Sequence, residues 1–163
     1  KKYCNVCNSN FDEFKEFGPS KRKALCPNCK SLDRTRILWF TFIAELPNVY
    51  GKKIAIFGCN KFIGDLLKSF GAKLSFIREI KDINTSFDYL ISDNFLLEKC
   101  SSEELLDIVK KYGSNAKVYG ILRDTESLIV PNEYKLSIIA ANSYSNEIKD
   151  KFNIKDKLVV ISK

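Results

Sequence analysis

From Lys52 onward the chain alternates short, β-branched apolar runs with stretches in which apolar residues recur at helical spacing. This alternation is typical of an α/β layer in which helices pack on a sheet. The predicted strands cover residues 53–57, 73–78, 88–92, 117–122, 134–141 and 157–162. The predicted helices cover residues 61–70, residues 101 or 102 to 112, and residues near 145–152. We therefore predict an α/β domain over residues 51–163.

A further helix is predicted before this domain. Ser31 fits an N-cap position and Pro47 a stop, so residues 32–46 are expected to be helical. Apolar residues surround this helix almost completely, which predicts that it is sandwiched between the N-terminal segment and the α/β domain. The predicted division of the chain is therefore residues 1–36, a connecting helix and linker over 37–50, and residues 51–163.

The composition of the 163-residue chain, 45% hydrophobic and 29% charged, is that of a globular protein. Its longest uncharged apolar stretch, Ile37 to Ala44, is far shorter than the roughly 20 residues of a membrane-spanning helix, and its first residues do not resemble a secretory signal. We therefore expect a cytoplasmic protein without membrane contact. The absence of histidine excludes Ser-His-Asp and Cys-His hydrolysis, histidine bases and histidine-ligated catalytic zinc.

Four of the six cysteines form two C-x2-C pairs, Cys4 with Cys7 and Cys26 with Cys29, separated by 18 residues. Two such pairs supply the four thiolates of structural zinc sites. A pair of disulfides is the alternative, but the expected reducing compartment favours zinc. Because protein sulfur would fill all four positions, the zinc is predicted to be structural, and residues 1–36 to form a zinc ribbon that needs the metal to fold.

Most of the net charge of +7 lies in one basic segment, residues 15–36, which holds seven basic and two acidic side chains. This balance favours a polyanionic partner such as nucleic acid or a phosphorylated substrate, and a solvated lysine-rich surface is the alternative. Arg34 and Arg36 could reach phosphate or carboxylate, or pair with local acids. The aromatic residues that a nucleic-acid surface would use are Phe14, Phe17 and Trp39.

The first strand and helix of the α/β domain carry a layout that suits an adenosine-containing ligand. A turn at Gly58 joins them, and Glu79 stands 21 positions later at the end of the second strand. In such layouts the glycine lets the backbone approach the ligand, and the acid accepts hydrogen bonds from ribose hydroxyls. The alternatives are that Glu79 pairs with a neighbouring cation and that Cys59 is a small buried residue.

Two stretches resemble one family, the class I S-adenosylmethionine-dependent methyltransferases that carry an N-terminal zinc ribbon. Residues 26–39, CPNCKSLDRTRILW, look like that family's CPxCxSLERHRLLW segment, and residues 86–98, SFDYLISDNFLLE, are similar to its FDxIxxxxVLEH motif. The resemblance implies a small Rossmann-like, mostly parallel sheet preceded by a Cys4 zinc ribbon. It also implies methyl transfer from S-adenosylmethionine to a small acceptor such as a cell-surface sugar or phosphosugar.

The same resemblance assigns individual residues to the cofactor and to the reaction. The cofactor-binding set is Gly58, Cys59, Asn60, Glu79, Asp93 and Asn94. The first three would approach the methionine part of the cofactor and Glu79 its ribose, while the last two would face the substrate. Asp93 or Glu98 would serve as a weak base.

The sequence also departs from the family pattern. The LEH triplet ends in Lys99, and the first motif keeps a single matching glycine, Gly58. Only residues 80–87 separate Glu79 from the next strand, where the family has a helix, a strand and a helix. At about 3.3 Å per residue this link must be nearly extended, and it omits the third strand. The chain therefore also fits a catalytically inactive relative that binds a nucleotide, a partner protein or nucleic acid.

Overall fold

The computed structural model describes residues 1–123, 128–139 and 157–163. The N-terminal part consists of two antiparallel strand pairs followed by a helix. Its elements are β1 (Lys2–Cys4), β2 (Ser9–Phe11), β3 (Lys15–Phe17), β4 (Arg22–Leu25), α1 (Asp33–Phe42) and a 3-10 helix (Ile43–Asn48). Strand β1 pairs with β2, and β3 pairs with β4. The first cysteine pair lies at the turn between β1 and β2, and the second pair follows the end of β4.

The described residues from 53 onward form a six-stranded sheet with helices on both faces. Its elements are β5 (Lys53–Phe57), α2 (Lys61–Ser69), β6 (Lys73–Ile77), β7 (Tyr89–Phe95), α3 (Leu96–Lys99), α4 (Ser102–Tyr112), β8 (Lys117–Leu122), β9 (Lys135–Ile139) and β10 (Lys157–Ser162). The strand order is β6-β5-β7-β8-β10-β9. The first four of these strands are parallel, and β10 runs antiparallel to both β8 and β9. The predicted fold class, a mostly parallel α/β sheet, is confirmed.

Local sequence explains where the helices begin and end. The side chain of Asn60 accepts a hydrogen bond of 2.8 Å from the backbone N–H of Phe62, which caps α2. Ser101 and Glu104 form a capping box at the start of α4. Gly71 follows α2 with φ of +84°, a left-handed conformation that favours glycine. The helix predicted near residues 145–152 and the end of the strand predicted over 134–141 lie outside the described residues.

The link between β6 and β7 differs from the extended segment that its length predicted. Residues Ile80–Asp82 form one turn of 3-10 helix, and the side chains of Ile80, Ile83 and Phe87 are buried. Burial of these three apolar side chains accounts for the compact path, since an extended link would leave them in water. The expected omission of a third strand is confirmed among the described residues, where β6 is an edge of the sheet.

Helix α1 joins the cysteine-bearing hairpins to the sheet. The ring of Phe42 packs edge-on against the rings of Tyr89 and Tyr119, with centroids 5.5 and 4.9 Å apart. One continuous apolar core includes Cys4 and Cys26 together with residues of α1 and of the sheet. The proposed boundaries at residues 36 and 50 therefore cross a shared core, and they stay predictions.

The start and end of α1 also differ from expectation. The helix begins after Leu32 rather than Ser31, and its last turn gives way at Ile43 to a 3-10 helix that contains Pro47. Ser31 is fully buried among the cysteines instead. None of the helices in the described ranges is long and apolar enough to cross a membrane.

Candidate functional site

The four cysteines of the two C-x2-C pairs converge on one point. The sulfur atoms of Cys4 and Cys29 lie 3.7 Å apart, and those of Cys7 and Cys26 lie 3.8 Å apart. All four sulfurs lie within 4.8 Å of one another. A zinc ion that binds four thiolates at about 2.3 Å in a tetrahedron separates the sulfurs by about 3.8 Å. The cluster therefore has the dimensions and the donor set of a structural zinc site.

Polar side chains surround the cluster and suit its negative charge when thiolates form. The hydroxyl of Ser31 lies 3.2 Å from the sulfurs of both Cys4 and Cys29. The hydroxyl of Ser9 lies 3.3 Å from the sulfur of Cys7. Hydrogen bonds from the Cys29 thiol and then from Ser31 lower the pKa of the Cys4 thiol. Hydroxyl groups close to metal-bound sulfur orient the ligands and stabilise their charge.

Arg36 adds a positive charge beside this cluster. Its side chain is fully buried, donates a hydrogen bond of 2.9 Å to the carbonyl of Ser31 and lies 4.0 Å from the centroid of the Phe14 ring. Burial lowers the pKa of the guanidinium, against the attraction of Asp33 and the nearby cysteines. Of the two arginines considered for anion binding, Arg36 is therefore committed to the interior.

Hydrogen bonds attach residues 1–36, which carry the two cysteine pairs and are called the cysteine module below, to the carboxyl ends of β5 and β7. The side-chain amide of Asn60 donates a hydrogen bond of 3.0 Å to the carbonyl of Cys29. The backbone N–H of Asn60 donates to the carboxylate of Asp93 at 3.0 Å, and the hydroxyl of Thr35 donates to the same oxygen at 2.8 Å. Asn60 and Asp93 thus connect the second cysteine pair and the start of α1 to the sheet.

Asp93 is the buried carboxyl group at the centre of these contacts. Its exposure is 7%, and burial raises its pKa, against the hydrogen bonds from Thr35 and Asn60 and the charge of Arg34. Its backbone N–H donates to the carbonyl of Gly58 at 3.0 Å, which ties the ends of β5 and β7 together. A carboxyl group with a raised pKa is a better proton acceptor when it is ionised.

Gly58, Cys59 and Asn94 line the same junction. Gly58 has φ of +68°, and a Cβ atom there would lie 2.1 Å from the side-chain nitrogen of Asn94. Asn94 therefore packs directly on the glycine. Burial raises the pKa of the Cys59 thiol, which disfavours the thiolate that a nucleophilic cysteine needs.

The two remaining predicted site residues, Glu79 and Glu98, line a separate polar cavity of about 420 Å³. Glu79 pairs with Lys81 at 2.9 Å, and Glu98 pairs with Arg123, whose Nε lies 3.0 Å from the carboxylate. Both acids are exposed, with 61% and 44% of their side-chain surface accessible. The volume falls within the range of ligand pockets, roughly 300 to 1,000 Å³.

The solved structures most relevant to this geometry share its sheet. The candidate methylase HI0767 from Haemophilus influenzae superposes with a TM-score of 0.53 at 12% identity, covering 80% of this chain and 98% of its own. The candidate methyltransferase yhhF from Escherichia coli superposes with a TM-score of 0.50 at 12% identity, covering 93% of this chain and 98% of its own. The chain has a methyltransferase fold. No protein-family model matches the sequence, and comparison with curated proteins gives no match.

Within this methyltransferase fold, the structure groups the predicted residues into two sets. Contacts link Gly58, Asn60, Asp93 and Asn94 at the β5–β7 junction, whereas Glu79 and Glu98 share the polar cavity. The sequence analysis missed Thr35, whose bond to Asp93 spans 58 positions. No local signal could reveal it, because Thr35 is one of several polar residues in the first turn of a helix.

The basic segment is more internally paired than its composition indicated. Arg22 forms two hydrogen bonds with Asp33, of 2.5 and 2.9 Å, and Lys23 pairs with Glu13 at 2.6 Å. Of the three aromatics considered for nucleic-acid binding, Phe14 and Trp39 are buried and Phe17 is exposed. Nucleic acid as a partner stays a prediction, and only one of the three aromatic rings expected to contact it is exposed.

Proposed function

We propose that this protein is an S-adenosylmethionine-dependent methyltransferase that acts on a small acceptor such as a cell-surface sugar. The observation that carries the proposal is the contact between Asp93 and Gly58 at the ends of β5 and β7. The chain leaves β5 toward β6 on one side and continues in β7 on the other, so the strand order reverses there. Open α/β sheets bind their ligands at such reversals, outside the carboxyl ends of the strands.

In this proposal the two groups of residues contact different parts of the cofactor. The backbone of residues 58–60 would border the methionine part at the junction. Glu79 lines the polar cavity, and its carboxylate, paired with Lys81 but 61% exposed, would accept hydrogen bonds from ribose hydroxyls. Bound S-adenosylmethionine supplies a methyl group for transfer to a nucleophilic oxygen or nitrogen. This transfer depends mainly on positioning, so a chain without histidine can support it.

In this proposal, one of two carboxyl groups accepts the acceptor's proton. Asp93 is held by Thr35 and by the backbone of Asn60, and its raised pKa favours proton uptake. Glu98 is exposed, paired with Arg123 and among the residues that line the polar cavity. We assign Asp93 as the principal base, because its contacts fix its position beside Gly58.

Calorimetric titration with S-adenosylmethionine and S-adenosylhomocysteine tests this proposal without knowledge of the acceptor. We expect the wild type to bind both ligands and Glu79→Ala to weaken binding at least tenfold. Glu13→Ala is the matched control, because Glu13 also belongs to an exposed Lys–Glu pair and lies far along the chain from the cavity. Equal affinities in the two variants would remove Glu79 from the site. A wild type that binds neither ligand at millimolar concentration would overturn the proposal.

A second candidate function has its own supporting observation. Asn60 and Asp93 use their side chains to hold the cysteine module, and Glu98 is paired with Arg123. Residues that could contact a cofactor thus have structural partners, as expected of a catalytically inactive methyltransferase-like module that binds a nucleotide, a partner protein or nucleic acid. Folded, metal-loaded protein that fails to bind both cofactor forms would favour this second function.

A further inference from the structure

Two guanidinium groups from distant parts of the chain stack on one aromatic ring at the end of β7. The Cζ of Arg34 lies 5.2 Å from the centroid of Phe95, and the Cζ of Arg123 lies 4.2 Å from it. We propose that Arg34 and Arg123 form an oxyanion-binding site that takes a phosphate or carboxylate group of the acceptor. The assignment of this anion to the acceptor rests on the proposed methyltransferase function, whereas the site itself does not.

Arg34 carries the main evidence for a ligand. It lies in the first turn of α1, and among the described residues no hydrogen bond or ion pair engages its guanidinium. Its Nε atom is buried and has no hydrogen-bond partner within the described ranges. Buried donors nearly always have a hydrogen-bond partner, and an exception calls for an ion, a water molecule or a ligand.

The other arginines of the basic segment have clear internal roles, which separates them from Arg34. Arg22 holds Asp33 through two hydrogen bonds, and Arg36 is buried beside the cysteine cluster, where it donates to the carbonyl of Ser31. Arg34 instead points to the end of β7, where its charge acts on the carboxyl group of Asp93. The free guanidinium is therefore next to the proposed base.

Arg123 supplies the second cation at the same ring. It extends from the end of β8 and pairs with Glu98, but both partners are about half exposed, so the pair is a weak one that an incoming anion can share. The planar guanidinium fork matches the oxygens of a carboxylate or phosphate through paired hydrogen bonds. Stacking on Phe95 restricts both forks before the ligand arrives, which reduces the entropy lost on binding.

The position of the site accounts for its use by an acceptor. Phe95 follows Asp93 by two residues on β7, so an anion held on the Phe95 ring would place the remainder of a small molecule near the carboxyl group of Asp93. The cavity that Glu79 lines, expected at the cofactor ribose, also includes Glu98, the ion-pair partner of Arg123. The two arginines therefore border the cavity proposed for the cofactor, as an acceptor site requires.

The test is an NMR titration of the zinc-loaded 163-residue chain with inorganic phosphate and with acetate. We expect shifts in the Arg34 side-chain Nε–H and Phe95 signals, and at least tenfold weaker binding in Arg34→Gln, with partial recovery in Arg34→Lys. Lys15→Gln is the charge-matched control, because Lys15 is exposed in the same basic segment. Glucose 1-phosphate is expected to bind more tightly than glucose in the same titration.

Several outcomes would overturn the inference. Unchanged phosphate and acetate binding in Arg34→Gln would exclude this residue, and equal weakening in Lys15→Gln would indicate attraction to the general positive charge. Binding of a short oligonucleotide without binding of phosphate or of a sugar phosphate would assign the arginines to a nucleic-acid surface. Failure of the methyltransferase proposal is recognised separately, because phosphate binding that depends on Arg34 without binding of S-adenosylmethionine supports the anion site and contradicts its use by an acceptor.

Discussion

The side-chain amide of Asn60 donates a hydrogen bond of 3.0 Å to the backbone carbonyl of Cys29. One residue thereby connects a predicted zinc ligand to the loop that follows β5, while its side-chain oxygen caps α2. We therefore expect metal binding at the cysteines and ligand binding at this loop to be coupled. Because such coupling is reciprocal, a metal that changes the affinity of the loop for a ligand by some factor has its own affinity changed by the same factor when the ligand binds.

Asn60→Ser separates the two roles of Asn60. Serine still caps a helix, but its shorter side chain cannot reach the carbonyl of Cys29. We expect a loss of about 0.5 to 1.5 kcal/mol in the free energy of unfolding, the usual worth of one hydrogen bond, together with weaker zinc binding in chelator competition. Ser69→Ala, which removes a hydrogen bond of 2.6 Å to the carbonyl of Leu66 at the far end of α2, is the control. Equal zinc affinities in the wild type and Asn60→Ser would contradict the coupling.

Elemental analysis of protein purified without chelator is expected to find one zinc per chain. The sulfur–sulfur distances of 3.7 Å between Cys4 and Cys29 and 3.8 Å between Cys7 and Cys26 match those of a tetrahedral thiolate site, so cobalt substitution should give the absorption of such a site. Cys7→Ser should release the metal and unfold the N-terminal hairpins, whereas Cys100→Ser, outside the cluster, should keep one zinc. Metal-free protein with disulfides between these cysteines would contradict the zinc site.

Asp93→Asn and Asp93→Ala distinguish the charge of Asp93 from its hydrogen bonds. Thr35 and the Asn60 N–H both donate to one carboxylate oxygen, so the asparagine oxygen can replace it, whereas alanine leaves both donors without a partner. We expect alanine to cost about 1 to 3 kcal/mol per unpaired donor and asparagine to retain the fold. A stable Asp93→Asn variant without methyl transfer would support the role as base.

The stabilities of the wild type and of Asp93→Asn should also depend differently on pH. Burial raises the pKa of Asp93, so its ionisation costs more in the folded state than in the unfolded state. The stability of the wild type relative to Asp93→Asn should therefore fall as the pH rises from the unfolded pKa through the folded one, and stay low above it. Chemical denaturation at several pH values measures this difference. A difference that is constant with pH would contradict the raised pKa.

Glu45 provides the opposite pH dependence at the other end of the sheet. Burial disfavours its charge, but hydrogen bonds from Lys117, Tyr89 and Tyr119 outweigh this effect and lower the pKa. Its contribution is present above the unfolded pKa and is lost as the pH falls through the folded one. We expect Glu45→Gln to cost about 1 kcal/mol near pH 7, since Lys117 is partly exposed, and almost nothing in acid. A cost that persists in acid would contradict this assignment.

Gly58→Ala should destabilise the protein through backbone strain and through a collision with Asn94. A second substitution, at Asn94, distinguishes the two effects. The residue has positive φ, and its Cβ would collide with the side chain of Asn94. The cost of a strained left-handed residue is about 1 to 2 kcal/mol, and the collision adds to it. Asn94→Gly should remove the second part, so the double variant should recover part of the stability in denaturant unfolding. Strictly additive losses would show that the two residues do not contact each other.

The sequence by itself determined most of the strands and the cysteine cluster. Strands such as 53–57 and 117–122 were predicted at their observed bounds, because β-branched runs between turn residues carry a local signal. The cysteine spacing predicted the cluster through another local signal, because each C-x2-C pair places two thiols at one turn. The short link after Glu79 also predicted that the third strand would be absent, because eight residues are too few for another strand and its connections, and among the described residues β6 is an edge of the sheet.

Only the tertiary structure decided how the polar residues are used. Arg34 and Arg36 are two positions apart on one helix, yet Arg36 is buried beside the cysteines and Arg34 faces Phe95. Neighbouring positions on a helix point in different directions, so the packing of α1 between the hairpins and the sheet gave the two arginines different environments. The bond between Thr35 and Asp93 likewise joins residues that are distant in sequence. Such contacts arise when separate elements pack together, and no local pattern encodes them.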